Sequence, residues 1–239
     1  EGFEQADLIV ERSFSTPGHS SASLEPRCVL SSWDGNHLTV WKSSRGVHVD
    51  RANIATSLNL SLKDVTVIGP YIGGGFGGKD ETRTASITSL LAKMTGKPVR
   101  MELSREEEFL AGRRRHATKT TARMGVTEEG NITAIDATMV MDTGAYLSSG
   151  PGVIRRAGQG FLYLYHCPNV RYIGYLVYTN TPSAGSYRAL GAPQGHFALE
   201  SIADEVAENI GIDPLEFRLR NHVPKEGQPG ERVTPKGEI

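Results

Sequence analysis

Two stretches of this sequence hold residue types and spacings that could do chemistry. The first, Gly73-Gly74-Gly75-Phe76-Gly77-Gly78-Lys79-Asp80-Glu81, has glycine at five of the six positions from 73 to 78. Residues without Cβ let other groups approach the backbone closely, and successive N–H groups at a helix N-terminus make a cradle for anionic oxygens. An ordinary turn needs one or two glycines rather than five. Phe76, the lone bulky member, is expected to have a packing duty. The run formally contains G-x-G-x-x-G, but no acidic residue ends a second strand about 20 residues on, and the Lys-Ser/Thr ending of a P-loop is missing. The second stretch is Ser186-Tyr187-Arg188-Ala189-Leu190-Gly191-Ala192-Pro193-Gln194. Here a planar guanidinium in a small-residue loop opens onto a helix N-terminus, so side chain and backbone could hold an oxyanion together.

A third candidate is Arg155-Arg156, with Asp80 and Glu81 as partners; a solvated basic pair is the plainer reading. Arg113-Arg114-Arg115-His116 has no interleaved aromatics and reads as an exposed face or a contact to another chain, with no catalytic role. The seven histidines show no HExxH or HxH spacing, so a metal ligated directly by protein side chains is not expected. Neither a GxSxG elbow nor a local signature around Cys28 or Cys167 suggests a nucleophile.

The elements that must position these residues follow from periodicity. Residues 6–14 alternate as a strand, and segments 28–33 and 37–42 flank Asp34-Gly35-Asn36 as a hairpin. Residues 50–60 read as a helix behind an acidic N-cap at Asp50. Val65-Thr66-Val67-Ile68 is a short buried strand ahead of the glycine run; Ala85, Ile87, Thr88, Leu91 and Met94 then have helical spacing, stopped by Gly96. Ser104 and Glu107 form a capping box for a short helix. Segments 119–127 and 132–141 make a long hairpin, 144–160 a glycine-dotted loop with a short helix near 153–157, and 170–180 a further strand. Phe197, Ile202, Val206 and Ile210 line one face of a helix ended by Gly211, and Asp213-Pro214-Leu215-Glu216 opens a last one. Hairpins and single helices without a βαβα rhythm predict an α+β fold, mixed sheets with helices packed on one side. Residues 1–222 form the expected folded region, divisible near 115 into a part with the glycine loop and a part with the arginine loop, and 223–239 a disordered polar tail.

The 239 residues suffice for one large or two small domains, and a net charge of −1 disfavours a dedicated nucleic-acid binder. Two cysteines imply no disulfide scaffold and a reducing, cytoplasmic setting. No apolar stretch approaches the roughly 20 residues of a membrane span. With Glu1 in place of an initiator Met and a polar ending, the chain is expected to be a piece of something longer.

GGGFGGK (73–79), YRALGAPQ (187–194), FALESIADEVAENIG (197–211) and IDPLEFRLRN (212–221), in this order, resemble the molybdenum hydroxylases, the family of xanthine dehydrogenase and aldehyde oxidase. The resemblance spans Asp7 to about Asn221 and points to the first molybdopterin-binding region of the large subunit. It implies that Gly74, Gly75, Phe76 and Gly77 approach the cofactor through backbone N–H groups, that Arg188 and Ala189 contact it, and that Arg156 lines the substrate pocket. Asp80 falls on the site of a pocket glutamate, with Glu81 taking that role if the register shifts by one; Tyr187 and Leu190 fall on the substrate side. His19 stands where the family usually has a glutamine beside the metal. Leu190 replaces a phenylalanine that stacks on purines, which weakens a purine assignment, and Ala189 replaces the cysteine of carbon monoxide dehydrogenases. The family hydroxylates a carbon next to nitrogen or oxygen and passes electrons to iron–sulfur clusters and FAD on partner subunits or domains. Its general base is a glutamate of a later, C-terminal region, so this chain is expected to be inactive alone. The cofactor is expected as molybdenum-molybdopterin, in the cytosine dinucleotide form as one option. Two readings outside the family are a non-catalytic scaffold binding a partner subunit and a generic nucleotide binder.

Overall fold

The longest hairpin of the sequence organises the larger of two sheets. In the computed structural model, which describes residues 1–223, strands β6 (Thr118–Val126) and β7 (Ile132–Gly144) pair antiparallel around the Gly130 turn. Strand β1 (Leu8–Thr16) adds antiparallel to β6 and strand β8 (Val170–Tyr178) adds parallel to β7, giving the order β1-β6-β7-β8. The smaller sheet has the order β4-β3-β2-β5, from β2 (Cys28–Asp34), β3 (His37–Lys42), β4 (Val65–Ile68) and β5 (Val99–Glu102). β1 is thus hydrogen-bonded to strands of the C-terminal half, and the two halves of the chain interlock. The fold is α+β with two mixed sheets, as the element pattern predicts. The tail from residue 224 onward lies outside the described residues.

Each sheet is covered by the helices that its parallel pairs require, because parallel neighbours need a crossover connection. α1 (Val47–Ser57) joins β3 to β4. Its N-cap is Gly46 rather than Asp50; Asp50 is buried inside the helix, where it bonds the Lys42 ammonium at 2.8 Å. α2 (Arg83–Thr95) ends in a left-handed Gly96 as expected. α3 (Arg105–Ala111) carries the complete Ser104/Glu107 capping box. Replacing Ser104 with alanine removes one reciprocal bond of that box and is expected to cost about 1 kcal/mol, read as a lower denaturant midpoint with an unchanged slope.

The glycine-dotted stretch read as a loop with a short helix near 153–157 holds a longer helix, α4 (Gly150–Tyr163), the crossover between β7 and β8. Its small residues are packing sites rather than loop signals. A Cβ at Gly195 of α5 (Ala192–Ile210) would run into the Ala157 carbonyl of α4, so the two helix backbones lie in direct contact. α5 begins five residues before the expected start at 197, because Pro193 sits in its first turn, where a missing N–H costs nothing. Phe161, Leu199, Ile202 and Phe217 of α4, α5 and α6 (Pro214–Asn221) fill the main core against Met124 and Ile135 of the large sheet. Leu38, Val40, Ile54 and Val65 fill the core of the smaller one.

Candidate functional site

The glycine loop and the arginine loop, more than a hundred residues apart in sequence, meet. The Arg188 N–H donates to the Phe76 carbonyl oxygen at 2.9 Å. Gly77, at φ +94°, packs its α-carbon against the second loop: a Cβ there would lie inside van der Waals distance of the Ser186 carbonyl oxygen and 3.0 Å from Tyr187 Cα. The backbone is strained on both sides of this contact. Phe76 (φ 50°), Ala189 (67°) and Leu190 (48°) are non-glycine residues in the left-handed region, a conformation kept only where surrounding structure imposes it.

The glycine loop closes on itself through the Gly78 N–H to the Gly75 carbonyl at 2.7 Å, whereas the N–H groups of Gly74, Gly75, Phe76 and Gly77 find no acceptor among the described residues. The Ala189 N–H likewise finds none. These four amides and the Arg188 guanidinium, on two loops that meet, are donors without an acceptor among the described residues, the donor set that an anion cradle would need. The cradle differs from expectation in one respect. Lys79, Asp80, Glu81 and the N-cap Thr82 separate the run from α2, so its donors belong to a free-standing loop rather than to a helix N-terminus. The arginine loop does lead straight into α5, whose N-cap is Gly191.

Around this contact the other predicted residues sort into two groups. His19 sits with its ring edge-on to Tyr187 at 4.8 Å, and both belong to the junction. The Arg188 side chain is exposed and makes no hydrogen bond or ion pair among the described residues; Leu190 and Phe76 beside it are 41% and 47% exposed. Arg156 is on α4, exposed and likewise unpaired among the described residues. Its helix abuts the arginine loop, since a Cβ at Gly191 would strike the Val153 carbonyl one turn earlier. Asp80 and Glu81 find cations other than Arg155-Arg156. Asp80 bonds Arg45 at 2.8 Å, and Glu81, largely buried, lies within 3.5–3.9 Å of Arg27, Arg83 and Arg113.

The basic run 113–116, read as an exposed face or a contact to another chain, is not an exposed face: Arg115 and His116 are buried within this chain, at the junction of the two loops. Arg115 is buried; it donates to Gln194 Oε1 at 3.0 Å and to the Arg188 carbonyl at 2.7 Å, and its guanidinium lies 4.0 Å from the Tyr187 ring centre. Its own N–H donates to the His19 carbonyl at 2.8 Å. Burial pushes the Arg115 pKa down, and the tyrosine ring acts in the opposite sense. Arg114 bonds Asp142 at 2.6 Å, and His116 is completely buried. Burial, helped by the Arg114 cation, lowers the His116 pKa to about 4, so the ring is neutral. No local signal marks Arg115, because its partners arrive from positions more than 70 residues away.

Known proteins share this fold. A family model described as the molybdopterin cofactor-binding domain matches residues 1–222. The chain is 37% identical over 220 residues to the nicotinate dehydrogenase large molybdopterin subunit of Eubacterium barkeri, covering 92% of this chain and 52% of that protein. To the xanthine dehydrogenase molybdenum-binding subunit of Escherichia coli it is 37% identical over 221 residues, 91% of this chain and 29% of that one. Among solved structures, the aldehyde oxidoreductase from Desulfovibrio gigas superposes with a TM-score of 0.89 at 27% identity, over 94% of this chain and 25% of that one. Quinoline 2-oxidoreductase from Pseudomonas putida 86 superposes equally well, at 0.89 and 26% identity, over 95% of this chain and 30% of that one. The chain therefore spans about half the length or less of these relatives. The family-model match over residues 1–222, and a fold shared with these structures over nearly the whole chain, place this chain in the molybdopterin cofactor-binding domain family of the molybdenum hydroxylases.

Proposed function

We propose that this chain is the part of a molybdenum-dependent oxidoreductase that cradles the cofactor, within an enzyme that hydroxylates an aldehyde or an N-heterocycle. The observation that carries the reading is the contact of the two loops, one with four successive backbone donors and the other with an arginine side chain that find no partner among the described residues. Those groups fit an oxygen-rich anionic centre: amide N–H groups and a guanidinium donate and never accept. When bound, molybdenum-molybdopterin would supply the redox chemistry at the substrate carbon.

The residues of this chain do the rest. The amides of 74–77 bind and orient negative oxygens without any side-chain rearrangement, since their geometry is set by the backbone. Arg188 adds positive charge at the mouth, and Arg156 offers a second cation for a polar substrate group. Phe76 and Leu190 give apolar walls that exclude water from a flat substrate. Asp80 and Glu81, both engaged with arginines, hold the base of the loop rather than a substrate proton. The general base and the remaining walls belong to the rest of the longer protein, so this chain alone is inactive. In this reading iron–sulfur and flavin partners receive the electrons, the cytosine dinucleotide is one option for the form of the cofactor, and the complex is cytoplasmic.

Arg188→Ala in the full-length enzyme tests this reading. The side chain is exposed and makes no hydrogen bond or ion pair among the described residues, so thermal stability should stay within about 0.5 kcal/mol of wild type. Loss of one charge-assisted interaction, worth roughly 1.5–3 kcal/mol, should lower molybdenum retention and turnover together by about tenfold or more. Unchanged metal content and unchanged turnover would remove the assignment. The relatives' size favours an enzyme part over a self-standing scaffold, which would keep its function in this variant.

A further inference from the structure

We propose that Glu25 is the positioning residue that shapes the glycine loop, gripping both of its ends so that the cradle exists before a cofactor arrives. The inference rests on the reading of that loop as the cradle. Glu25 lies in the irregular segment between β1 and β2, 48 residues before the loop. Its carboxylate accepts a close hydrogen bond from the Gly73 N–H at one end of the loop. At the other end it accepts from the Lys79 ammonium at 3.0 Å. The Ser43 hydroxyl donates to it from the end of β3, and the Glu25 N–H donates back to the Gly73 carbonyl at 3.2 Å. Two residues on, Arg27 donates twice to the Gly78 carbonyl, at 3.1 and 2.8 Å. Residues 25–27 are thus a strap under the loop, and between its attachment points lie the four amides without acceptors.

Two physical consequences follow. Glycine backbones lose more conformational freedom on ordering than any other residue, at about 1–2 kcal/mol per residue, so a five-glycine loop holds one shape only if its ends are fixed. The Lys79 side chain is 3% exposed and committed inward, and without Glu25 its ammonium would be buried without a counter-charge. Burial by itself would raise the Glu25 pKa, but the bonds from Ser43, Lys79 and Gly73 outweigh it and hold the group below the ordinary carboxylate value. A charge that stays ionised, one-third exposed, at the edge of an anion cradle serves the loop and not the anion, which it would repel.

The test is Glu25→Gln in the full-length enzyme, scored by molybdenum per polypeptide and by the Mo(V) electron paramagnetic resonance signal of the loaded fraction. Glutamine keeps the size but presents an amide N–H₂ where two donors and an ammonium converge. Molybdenum content is expected to fall at least fivefold, and the residual signal to shift because the donors around it have moved. Glu25→Asp, which keeps the charge, is expected to recover part of the metal. Wild-type metal content with an unshifted signal would overturn the role. A variant with the metal reduced but the signal unshifted would do the same, since it would mark a general loss of stability. If Glu25→Gln does not fold, Ser43→Ala removes a single donor from the same carboxylate; a shifted signal there supports the role and a wild-type signal refutes it. Arg188→Ala separates the two ideas: metal lost there but kept in Glu25→Gln refutes Glu25 alone, and metal kept in both refutes the cradle as well.

Discussion

Alanine at position 77 is expected to strip the full-length enzyme of most of its molybdenum while leaving the rest of the fold in place. Two costs add at this one position. A residue with a side chain at φ +94° carries about 1–2 kcal/mol of backbone strain. The new methyl also meets the Ser186 carbonyl and Tyr187 Cα, backbone atoms that cannot swing aside, and such overpacking costs about 1–3 kcal/mol. Together, about 2–5 kcal/mol favours separation of the two loops, and at 1.4 kcal/mol per factor of ten this means roughly 30-fold or more in the population of the joined state. Metal content and turnover should fall by that factor. Gly96→Ala is the internal control: φ there is +65° but nothing lies within 4 Å of a new Cβ, so it carries the strain without the collision. It should lower stability slightly and leave molybdenum at the wild-type level. Equal metal loss in both variants, or none in either, would show that the junction of the loops has no bearing on the cofactor.

How much of this site can be read along the chain depends on how local its signals are. The glycine loop is legible because five glycines in six positions exceed what any turn requires, and the arginine loop because a lone guanidinium precedes a long amphipathic helix. Their meeting could be inferred only from the family resemblance. Only the middle of α4 is legible because Gly150, Gly152, Gly158 and Gly160 lower helix propensity towards its ends, whereas at Gly158 and Gly160 a Cβ would press on Tyr172 and His196. Tertiary packing overrides propensity there, and the parallel pairing of β7 with β8 makes a crossover helix obligatory. Arg115 and Glu25 carry no signal at all. Charged residues are normally exposed and free, and what fixes these two is partners supplied by distant segments: Gln194 and Arg188 for one, Gly73 and Lys79 for the other.

For Arg115 the same distant partners make the expected loss large. Arg115→Ala leaves the Gln194 amide oxygen and the Arg188 carbonyl without their donors and uncovers one face of Tyr187. Two bonds to a charged donor at about 1.5–3 kcal/mol each put the cost at roughly 3–6 kcal/mol, a large share of the 5–15 kcal/mol that holds a domain together. The prediction is checked by chemical denaturation of the intact protein alongside its metal content. Arg115→Lys should recover less than half of the loss, because one ammonium cannot reproduce a planar fork that bonds two acceptors while lying over a ring. A lysine variant as stable as wild type would show that charge alone is what the position needs. Stability and metal should fall together in Arg115→Ala but part company in Arg188→Ala, because the Arg115 side chain braces the arginine loop through Gln194 and the Arg188 carbonyl while the Arg188 side chain, without a partner among the described residues, is free to meet an anion.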